Sequence, residues 1–515
     1  MRWRILLAGL LLVAAAIACD RGVDEVIVIT ATFPPPTGAT SRATEMPPMP
    51  STVVATAAPS LPAAAAATQT PLTYVVQAGD TLTAIALAHN TTVETLLSLN
   101  EITNPDALFE GQTLNLPGRP VQTGPSVPLL PDGLLVRGPA SVDFDAIEFA
   151  TAQPGRLREM REVVDGAEMS GPAIVERVSR EFGVDARVLL AMLEYRNRLL
   201  TIRDASLEAE LYPIFAPISL GDLGRTGLYR QLAWAADRLN AGYYGRKYRR
   251  LEILELADGA RYLLADGLEP GTAAVQHVFS KMLAEPEWLR AVSPNGFLAT
   301  YSRLFGNPLT APPEAPVPAN LVQPELELPI GEGETWYFTG GPHGGWGSGS
   351  AWAAVDFAPP DDPAEVNGPC YVSAHFVTAA ADGVVTWSDG GVVILDLDGD
   401  GNEFTGWTVL YLHIASQDRV AEGAVLRAGE EIGRPSCEGG VSNGTHAHFA
   451  RRYNGEWLPA SCMDCTGSAT PPPMVLGGWQ VVDLPGQEYQ GYLVKGDELR
   501  IAEAARGVAP NEVQR

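Results

Sequence analysis

Histidines are concentrated in one part of the sequence, since five of the seven fall between residues 326 and 460. Two of them, His446 and His448, are separated by one residue in a segment of strand-like composition. Because alternate residues of a strand point to the same face, both imidazoles can address one metal ion. Zinc favours imidazole nitrogen and carboxylate oxygen, and a catalytic zinc leaves a tetrahedral position for water. The spacing therefore predicts a metal site in this region.

The same region is rich in Val, Gly and Thr and contains short runs of alternating polarity. Such runs, separated by Gly-rich turns, are typical of a small antiparallel β domain. The predicted strands lie in residues 377–387, 391–397, 407–412 and 445–451. They would bring the histidines together from distant points in the sequence.

Three motifs in this region resemble those of the lysostaphin-type, β-lytic zinc metallopeptidases that cut peptidoglycan peptides. They are a His followed later by Asp-Phe, a strand ending in Tyr-x-His, and Gly-x-His-x-His-Phe. The β-lytic branch also has a glycine-rich insertion between the first His and the Asp, matched here between His343 and Asp356, and a Cys-Glu-Gly-Gly-x-Ser run, matched at residues 437–442. Thr445 and Ala447 depart from the usual Pro and Leu, at positions that concern packing.

This resemblance implies a role for each matching residue. His343, Asp356 and His448 would bind one zinc ion. His413 and His446 would act as the base and as the stabiliser of the oxyanion at the scissile carbonyl. A catalytically inactive relative of the family, acting as a scaffold or hydrolase activator, is the alternative.

Four cysteines follow the first one and suit two disulfides outside the reducing cytosol. Cys370 with Cys437 would tie a loop to the metal region, and Cys462 and Cys465 are close enough to pair locally. The connectivity itself is left open by the sequence.

A second acidic cluster consists of Asp396, Asp398 and Asp400, interleaved with glycines as at the start of a calcium loop. Trp407 stands where such a loop needs a bidentate Glu. The alternative is a polar hairpin tip between two strands.

The first residues resemble a bacterial lipoprotein signal: a short cationic start, an apolar stretch over 5–17, and Ala-Ile-Ala before Cys19. The resemblance implies that Cys19 carries a diacylglycerol, which anchors the chain to the outer face of the cytoplasmic membrane. An ordinary secretory signal is the alternative. Residues 30–71 are rich in Pro, Thr and Ala, and predict an extended tether.

Residues 73–117 predict a β-α-α-β order and resemble a LysM domain through YVVQAGDTLTAIA, LLSLN and LFEGQTLNLP. The family binds N-acetylglucosamine in glycan chains between two loops. The resemblance implies glycan contacts in this chain at the following residues: Gly79, Asp80, Thr81, Asn104 and Leu108. Asp80 and Thr81 could instead only cap the first helix.

Residues 141–307 predict a helical domain without alternating strands. The segment 183–197 resembles the opening of lytic transglycosylases and other lysozyme-like muramidases, with Asp185 as a helix N-cap. The position of the catalytic acid holds Arg196, which cannot donate a proton at neutral pH. On a helix, Glu194 points about 200° away from that position. The domain is therefore predicted to be non-catalytic.

A chain of 515 residues predicts about three domains. Its net charge of −26 argues against nucleic-acid binding, which needs local positive charge. The predicted fold is multidomain α+β, with a βααβ LysM module, an all-α lysozyme-like middle domain and an antiparallel β-sheet zinc peptidase domain. The predicted segments are a lipoprotein signal peptide (1–18), a tether (19–72), the LysM module (73–117), a linker (118–140), the helical domain (141–307), a linker (308–325), the peptidase domain (326–460) and a C-terminal extension (461–515).

The predicted function is that of a zinc-dependent endopeptidase of the cell envelope that hydrolyses peptide bonds of the wall. The expected partners are peptidoglycan, through its glycan strands and peptide cross-links, and the membrane, through the lipid anchor. The bond that is cut does not follow from the sequence.

Overall fold

The computed structural model describes residues 72–116, with gaps at 78–79, 89–92, 101 and 103–107, and residues 121–515, with gaps at 217–223, 249–250, 363, 464, 466–470 and 509. Contacts divide these into two units, one before residue 121 and one over 121–515. Among the described residues no helix is both long and apolar enough to span a bilayer.

The first unit has the predicted β-α-α-β order. Strand β1 (Leu72–Val75) pairs antiparallel with β2 (Thr113–Leu116), and between them lie α1 (Leu82–Ala88) and α2 (Val93–Leu99). Apolar side chains from all four elements form a small core that includes Leu96, which is fully buried.

The second unit begins with a block of helices and short strands. In chain order its elements are β3 (Val121–Thr123), α3 (Asp132–Leu135), α4 (Ala146–Ala152), β4 (Arg161–Val164), β5 (Ala167–Ser170), α5 (Gly171–Phe182), α6 (Ala186–Asn197), α7 (Leu207–Leu211), α8 (Leu228–Lys247), β6 (Ile253–Glu255), β7 (Arg261–Leu263), α9 (Pro270–Ser280), α10 (Glu285–Ala291) and α11 (Phe297–Phe305). We call residues 121–305 the helical block.

Local sequence explains where α5 and α6 begin and end. The Ser170 hydroxyl accepts a hydrogen bond from Ala173 N at the start of α5, and Gly183 ends that helix with φ at 69°. The Asp185 carboxylate accepts from Arg187 N at the start of α6, as predicted. Only a tight turn separates the two helices. Helix α6 then runs through the interior, where residues such as Leu189 are fully buried.

The prediction of an all-α middle domain is wrong in one respect, because the helical block also contains two small sheets. Strands β4 and β5 form a hairpin, and β3, β7 and β6 form a three-stranded sheet. Asp165 and Gly166 both have positive φ in the β4–β5 turn, as an Asp-Gly hairpin turn requires. Strands of three or four residues are too short for an alternating pattern to be visible in the sequence.

The expected linker at 118–140 is also corrected, because much of it packs against the helical block. Leu129 and Leu130 are fully buried, and their backbone amides donate to the hydroxyl of Thr272 on α9. The carboxylate of Asp132 accepts from Gly271 N at the start of the same helix. Leu129 and Leu130 therefore anchor this segment to the helical block, although its proline content is typical of an extended linker.

The remaining residues form two main antiparallel sheets and a short ladder. In chain order the strands are β8 (Thr335–His343), β9 (Ala354–Ala358), β10 (Val377–Thr378), β11 (Gly383–Asp389), β12 (Val392–Asp396), β13 (Trp407–Leu412), β14 (Val425–Leu426), β15 (Glu431–Gly433), β16 (Ala447–Tyr453), β17 (Glu456–Trp457), β18 (Val475–Leu476), β19 (Trp479–Leu484), β20 (Gln487–Lys495), β21 (Glu498–Ile501) and β22 (Glu512–Gln514). The large sheet has the order β14-β11-β12-β13-β16-β9-β8-β22, with β17 paired to β16.

The expected C-terminal extension is part of this architecture. Strands β18 to β21 form a four-stranded sheet, and β22 adds to the edge of the large sheet beside β8. We call residues 326–515 the β block.

Alternate residues of the large sheet belong to two different cores. One face packs within the β block, while the other packs against the helical block. The face toward the helical block includes Ala354, Val392, Ile394, Leu410, Leu412, Ala450 and Trp457. Both faces of the central strands are covered, which accounts for their nearly uninterrupted apolar sequences.

Polar contacts also connect the helical and β blocks. The carboxylate of Glu456, fully buried, accepts from the hydroxyls of Tyr243 and Tyr248 and pairs with Lys247 Nζ at 2.8 Å. The indole of Trp457 donates to the carbonyl of Phe182 at 3.1 Å. The two blocks thus share a core and a buried hydrogen-bond network.

Candidate metal centre

The residues predicted as metal ligands lie on three neighbouring strands of the large sheet. His343 is the last residue of β8, Asp356 is in the middle of β9, and His448 is the second residue of β16. In the ladder between β16 and β9, His448 lies directly opposite Asp356. One potential metal-binding atom from each of the three residues, His343, Asp356 and His448, lies within 4.8 Å of the other two.

Distances within this cluster are short. Asp356 Oδ1 lies 3.3 Å from His343 Nε2 and 3.3 Å from His448 Nδ1. The two imidazole nitrogens are 3.0 Å apart. All three residues are at least nine-tenths buried.

Hydrogen bonds on the far side of each imidazole determine where its proton lies. His343 Nδ1 is 2.8 Å from the carbonyl of Gly341, and His448 Nε2 is 3.1 Å from the carbonyl of Gly345. A carbonyl can only accept, so each of these nitrogens carries hydrogen. The nitrogens that face each other in the neutral rings are therefore bare lone pairs.

A cation suits the point where these lone pairs meet. Asp356 Oδ1 is buried there without a conventional hydrogen bond, and an unpaired buried carboxylate oxygen is costly. Two imidazole nitrogens and one carboxylate oxygen, oriented by backbone carbonyls, match the donors and the outer-shell pattern of zinc sites. The residues present therefore fit a zinc ion.

The electrostatics of the cluster agree with this geometry. Burial would raise the pKa of Asp356, but positive charge on His343 and His446, which these rings carry only when they are protonated, outweighs it and holds that pKa well below its usual range. Asp356 is therefore ionised, as a metal ligand must be.

The two predicted catalytic histidines lie beside the cluster. His446 Nε2 is 3.6 Å from Asp356 Oδ1, and the rings of His446 and His413 are 4.6 Å apart. Their Nδ1 atoms face the carbonyls of Gly444 at 2.7 Å and Glu438 at 3.1 Å, respectively. In the neutral rings, both Nε2 atoms are thus available to exchange a proton.

His413 has two further features of a functional residue. Burial, followed by its histidine neighbours, lowers the pKa of His413 to about 3, so the ring is neutral at physiological pH. Its backbone has φ at 65°, a left-handed conformation that is uncommon for a residue with a side chain. Such conformations persist where the surrounding structure enforces them, often at active sites.

The structure joins Cys370 to Cys437 and Cys462 to Cys465. The first bridge links the segment before β10 to the loop that leads to His446. At the end of that loop, the carbonyl of Thr445, the residue before His446, accepts a hydrogen bond from the guanidinium of Arg506 at 2.7 Å.

Sequence reasoning missed Arg506 and Tyr489, both in the C-terminal segment. The ring of Tyr489, on β20, stacks on His343 with 4.3 Å between ring centroids, and Glu488 accepts from Gly344 N at 3.2 Å. Burial comes first among the causes that raise the pKa of Tyr489, so its hydroxyl keeps its proton. Nothing in the local sequence of these residues indicates a position at the site.

The glycine-rich loop between β8 and β9 also bounds the cluster. We call residues 344–350 the glycine loop. The close approach of neighbouring groups leaves no room for a Cβ at four of its positions: Gly344, Gly345, Gly347 and Gly349. Its glycine content therefore reflects packing.

The acidic cluster proposed for calcium satisfies itself. Asp396 accepts from the backbone amides of Asp398 and Gly401, and Asp400 accepts from the hydroxyl of Thr405. Burial and the hydrogen bond with Asp398 raise the pKa of Asp396 to about 6. This geometry favours the polar hairpin tip, and the calcium prediction finds no support in it.

In the helical block Arg196 and Glu194 have structural partners. Arg196 Nε donates to the carbonyl of Ile214 at 2.8 Å. The buried carboxylate of Glu194 accepts from Leu200 N and the hydroxyl of Thr201, and pairs with Arg303. The partners of both side chains lie within the helical block, where these contacts stabilise the fold.

In the first unit Asp80 accepts from the hydroxyl of Tyr74 at 2.6 Å and from Gln77 N at 2.8 Å, while the hydroxyl of Thr81 accepts from Ala84 N at 3.1 Å. Leu108 packs against the core. Gly79, Asn104 and Cys19 lie outside the described residues, so the glycan contacts and the lipid anchor stay predictions.

Comparisons with known proteins now identify the modules. Residues 74–117 match the LysM domain family, and residues 128–318 match the family described as LasA, N-terminal domain. Protease LasA of Pseudomonas aeruginosa is 27% identical over 360 residues, which cover 65% of this chain and 76% of that protein. The cortical fragment-lytic enzyme of Bacillus subtilis is 52% identical over 44 residues, 8% of this chain and 10% of that protein.

Among solved structures, the M23 metalloprotease pseudoalterin from the deep sea is 22% identical and covers 35% of this chain and 96% of its own, with a TM-score of 0.27. The catalytic domain of lysostaphin from Staphylococcus simulans is 23% identical and covers 25% of this chain and 89% of its own, with a TM-score of 0.17.

The chain therefore carries a LysM domain, matches the LasA N-terminal domain family over residues 128–318, and is similar to protease LasA over 360 residues. The family matched by the helical block is the LasA N-terminal domain, and its resemblance to lysozyme-like proteins stays a prediction.

Proposed function

We propose that this protein is a zinc-dependent endopeptidase that hydrolyses peptide bonds of peptidoglycan. The observation that carries the proposal is the convergence of three lone-pair atoms, His343 Nε2, Asp356 Oδ1 and His448 Nδ1, on one buried point. The homology to protease LasA and the LysM domain support the peptidase role and the wall as its place of action.

Bound zinc would polarise the scissile carbonyl as a Lewis acid and lower the pKa of a coordinated water toward ~7. We assign His413 the role of proton acceptor at Nε2, because its Nδ1 faces the carbonyl of Glu438 and the lone pair of the neutral ring therefore lies on Nε2. When it carries a proton at Nε2, His446 donates a hydrogen bond toward the carbonyl oxygen on which negative charge develops. The His-x-His pair has no adjoining Glu, so these two histidines handle the protons.

The test is digestion of purified peptidoglycan with identification of new amino termini by mass spectrometry. We expect cleavage within peptides, loss of cleavage after chelation, and recovery on adding zinc. His448→Ala, which removes a ligand, should release no fragment. Cleavage that persists in His448→Ala or under chelation would contradict the proposal.

A non-catalytic scaffold is the rival role. A scaffold that lacks zinc should show no stoichiometric metal after refolding with zinc and no cleavage. The intact set of five histidine and aspartate side chains favours the enzyme.

We also propose that the LysM unit binds glycan strands and that a lipid on Cys19 anchors the chain outside the cytoplasmic membrane. The LysM family match supports the first proposal, and the lipobox-like sequence supports the second.

A further inference from the structure

The glycine loop lies between two of the proposed metal ligands and contacts helix α8 of the helical block. Gly349 N donates to Asp237 Oδ1 at 2.6 Å, and the hydroxyl of Ser348 donates to Asp237 Oδ2 at 3.1 Å. Arg238 Nη2 donates to the same Oδ2 at 2.7 Å, which holds the carboxylate in place. One carboxylate of the helical block thus binds two groups of the loop.

Neighbouring atoms lie so close to the glycines of the loop that a residue with a Cβ would not fit at three positions. A Cβ added to Gly349 would lie 1.9 Å from the carbonyl oxygen of Asp237, and one added to Gly347 would lie 2.5 Å from Asp237 Oδ1. A Cβ on Gly345 would lie 2.5 Å from the indole of Trp457. The loop is therefore held between α8 and the large sheet.

The loop is also the outer support of a metal ligand. The carbonyl of Gly345 accepts from His448 Nε2 at 3.1 Å, which leaves the lone pair of His448 on Nδ1, facing His343 and Asp356. Hydrogen bonds of this kind set the tautomer and orientation of a ligating imidazole. Displacing the loop would remove this bond.

We propose that Asp237 is a positioning residue for the metal centre and acts through the glycine loop on His448. This rests on the proposed function only in taking the cluster to be a zinc site. The helical block is then a structural part of the metal centre.

The experiment measures the zinc dissociation constant of the full chain by competition with a zinc-binding chelator dye, without any wall substrate. Asp237→Ala should weaken zinc binding about 10-fold, the lower end of the effect of removing an outer-shell partner. Gly349→Ala should do the same while leaving the carboxylate intact, because its Cβ cannot fit against α8. Asp237→Asn, which keeps an oxygen acceptor for Gly349 N, should recover most of the affinity.

Arg180→Ala is the matched control. Arg180 also joins the two blocks, but its hydrogen bonds go to Glu403 at 2.6 Å and to the carbonyl of Thr386 at 2.9 Å rather than to the loop. Its zinc dissociation constant should stay within twofold of wild type. Hydrogen exchange of residues 344–350 should accelerate in Asp237→Ala and not in Arg180→Ala.

Unchanged zinc binding in both Asp237→Ala and Gly349→Ala would overturn the inference, as would equal weakening in Arg180→Ala. If Asp237→Ala does not fold, Gly349→Ala decides. Tight zinc binding without cleavage of peptidoglycan would refute the proposed function and leave this inference standing.

Discussion

His448 and Asp356 lie directly opposite each other on neighbouring antiparallel strands, with His448 Nδ1 3.3 Å from Asp356 Oδ1. A shift of one residue between β16 and β9 would move His448 to the opposite face of the sheet. The backbone register that builds the sheet therefore also brings the candidate metal-binding residues together.

The ligand and proton-transfer roles are separable by mutation. Asp356→Ala should lose both zinc and activity, because it removes one of three protein ligands. His413→Ala should retain zinc at near wild-type stoichiometry, while activity falls by the ~10²–10⁴ typical of a general acid–base group. Elemental analysis of zinc and release of wall peptides measure the two effects. Loss of zinc from His413→Ala, or full activity in it, would show that the roles are assigned wrongly.

The buried carboxylate of Glu456 should be important for the stability of the second unit. Glu456→Ala leaves the partly buried Lys247 and two buried tyrosine hydroxyls without their acceptor, so we expect a loss of about 3–5 kcal/mol in the free energy of unfolding. Glu498→Ala, which removes an exposed pair with Arg500, is the control and should cost less than about 1 kcal/mol. Thermal unfolding of the full chain measures both, and equal effects would contradict the expectation.

His277 should make the folded state sensitive to acid. Burial lowers the pKa of His277 to about 4 from its ordinary 6.5, while its Nδ1 lies 2.7 Å from the carbonyl of Arg238. Between these values the unfolded chain binds a proton that the folded chain does not. The contribution of His277 is thus complete above pH ~6.5 and decreases as the pH falls toward ~4, by up to about 3 kcal/mol.

His277→Asn, whose amide can still donate to the carbonyl of Arg238, should remove this dependence. Urea unfolding of both proteins at pH 7.5 and pH 5 measures it. A pH dependence of equal slope in the two proteins would be inconsistent with the assignment.

The LysM unit should bind glycan by itself, because residues up to 116 form a unit separate from the rest. A fragment of residues 72–117 should sediment with purified peptidoglycan and be displaced by chitin oligomers. Residues 121–515, tested in parallel, should sediment less and be insensitive to these oligomers. Failure of the fragment to bind would reduce the unit to a spacer.

Lipidation of Cys19 should determine where the protein resides. Cys19→Ala should move the protein from the membrane fraction to the soluble extracytoplasmic fraction, since the thiol is the acylation site. Metabolic labelling with a fatty-acid analogue checks the modification directly. Membrane partition that the substitution does not alter would exclude the anchor.

That His343, Asp356 and His448 come together could be predicted from the sequence, because the motifs that contain them are local. His446 and His448 share a face through a period of two, and the LysM module is identified by residues contiguous in the chain. The small sheets of the helical block were missed, although Asp165 and Gly166 are a known hairpin signal.

Other parts of the site depend on contacts between distant segments. Asp237, Tyr489 and Arg506 come from a helix, a strand and a loop that only the folded chain brings to the cluster. Their own neighbours in the sequence carry no pattern that distinguishes them from surface residues. The packing of the helical block against the large sheet likewise depends on two apolar surfaces, one on each block. Each surface is assembled from several elements that come together only on folding.

The contact between Gly349 and α8 limits how this protein can diverge. A larger residue at Gly349 would meet the main-chain oxygen of Asp237, and the same holds at Gly455, where a Cβ would lie 1.8 Å from the carbonyl oxygen of Arg137. Because backbone atoms form the obstacle, no exchange of a side chain on the facing segment can compensate. A Cβ at either position would force the backbone of the helical block away from the β block, so both glycines are required wherever the two blocks pack in this way.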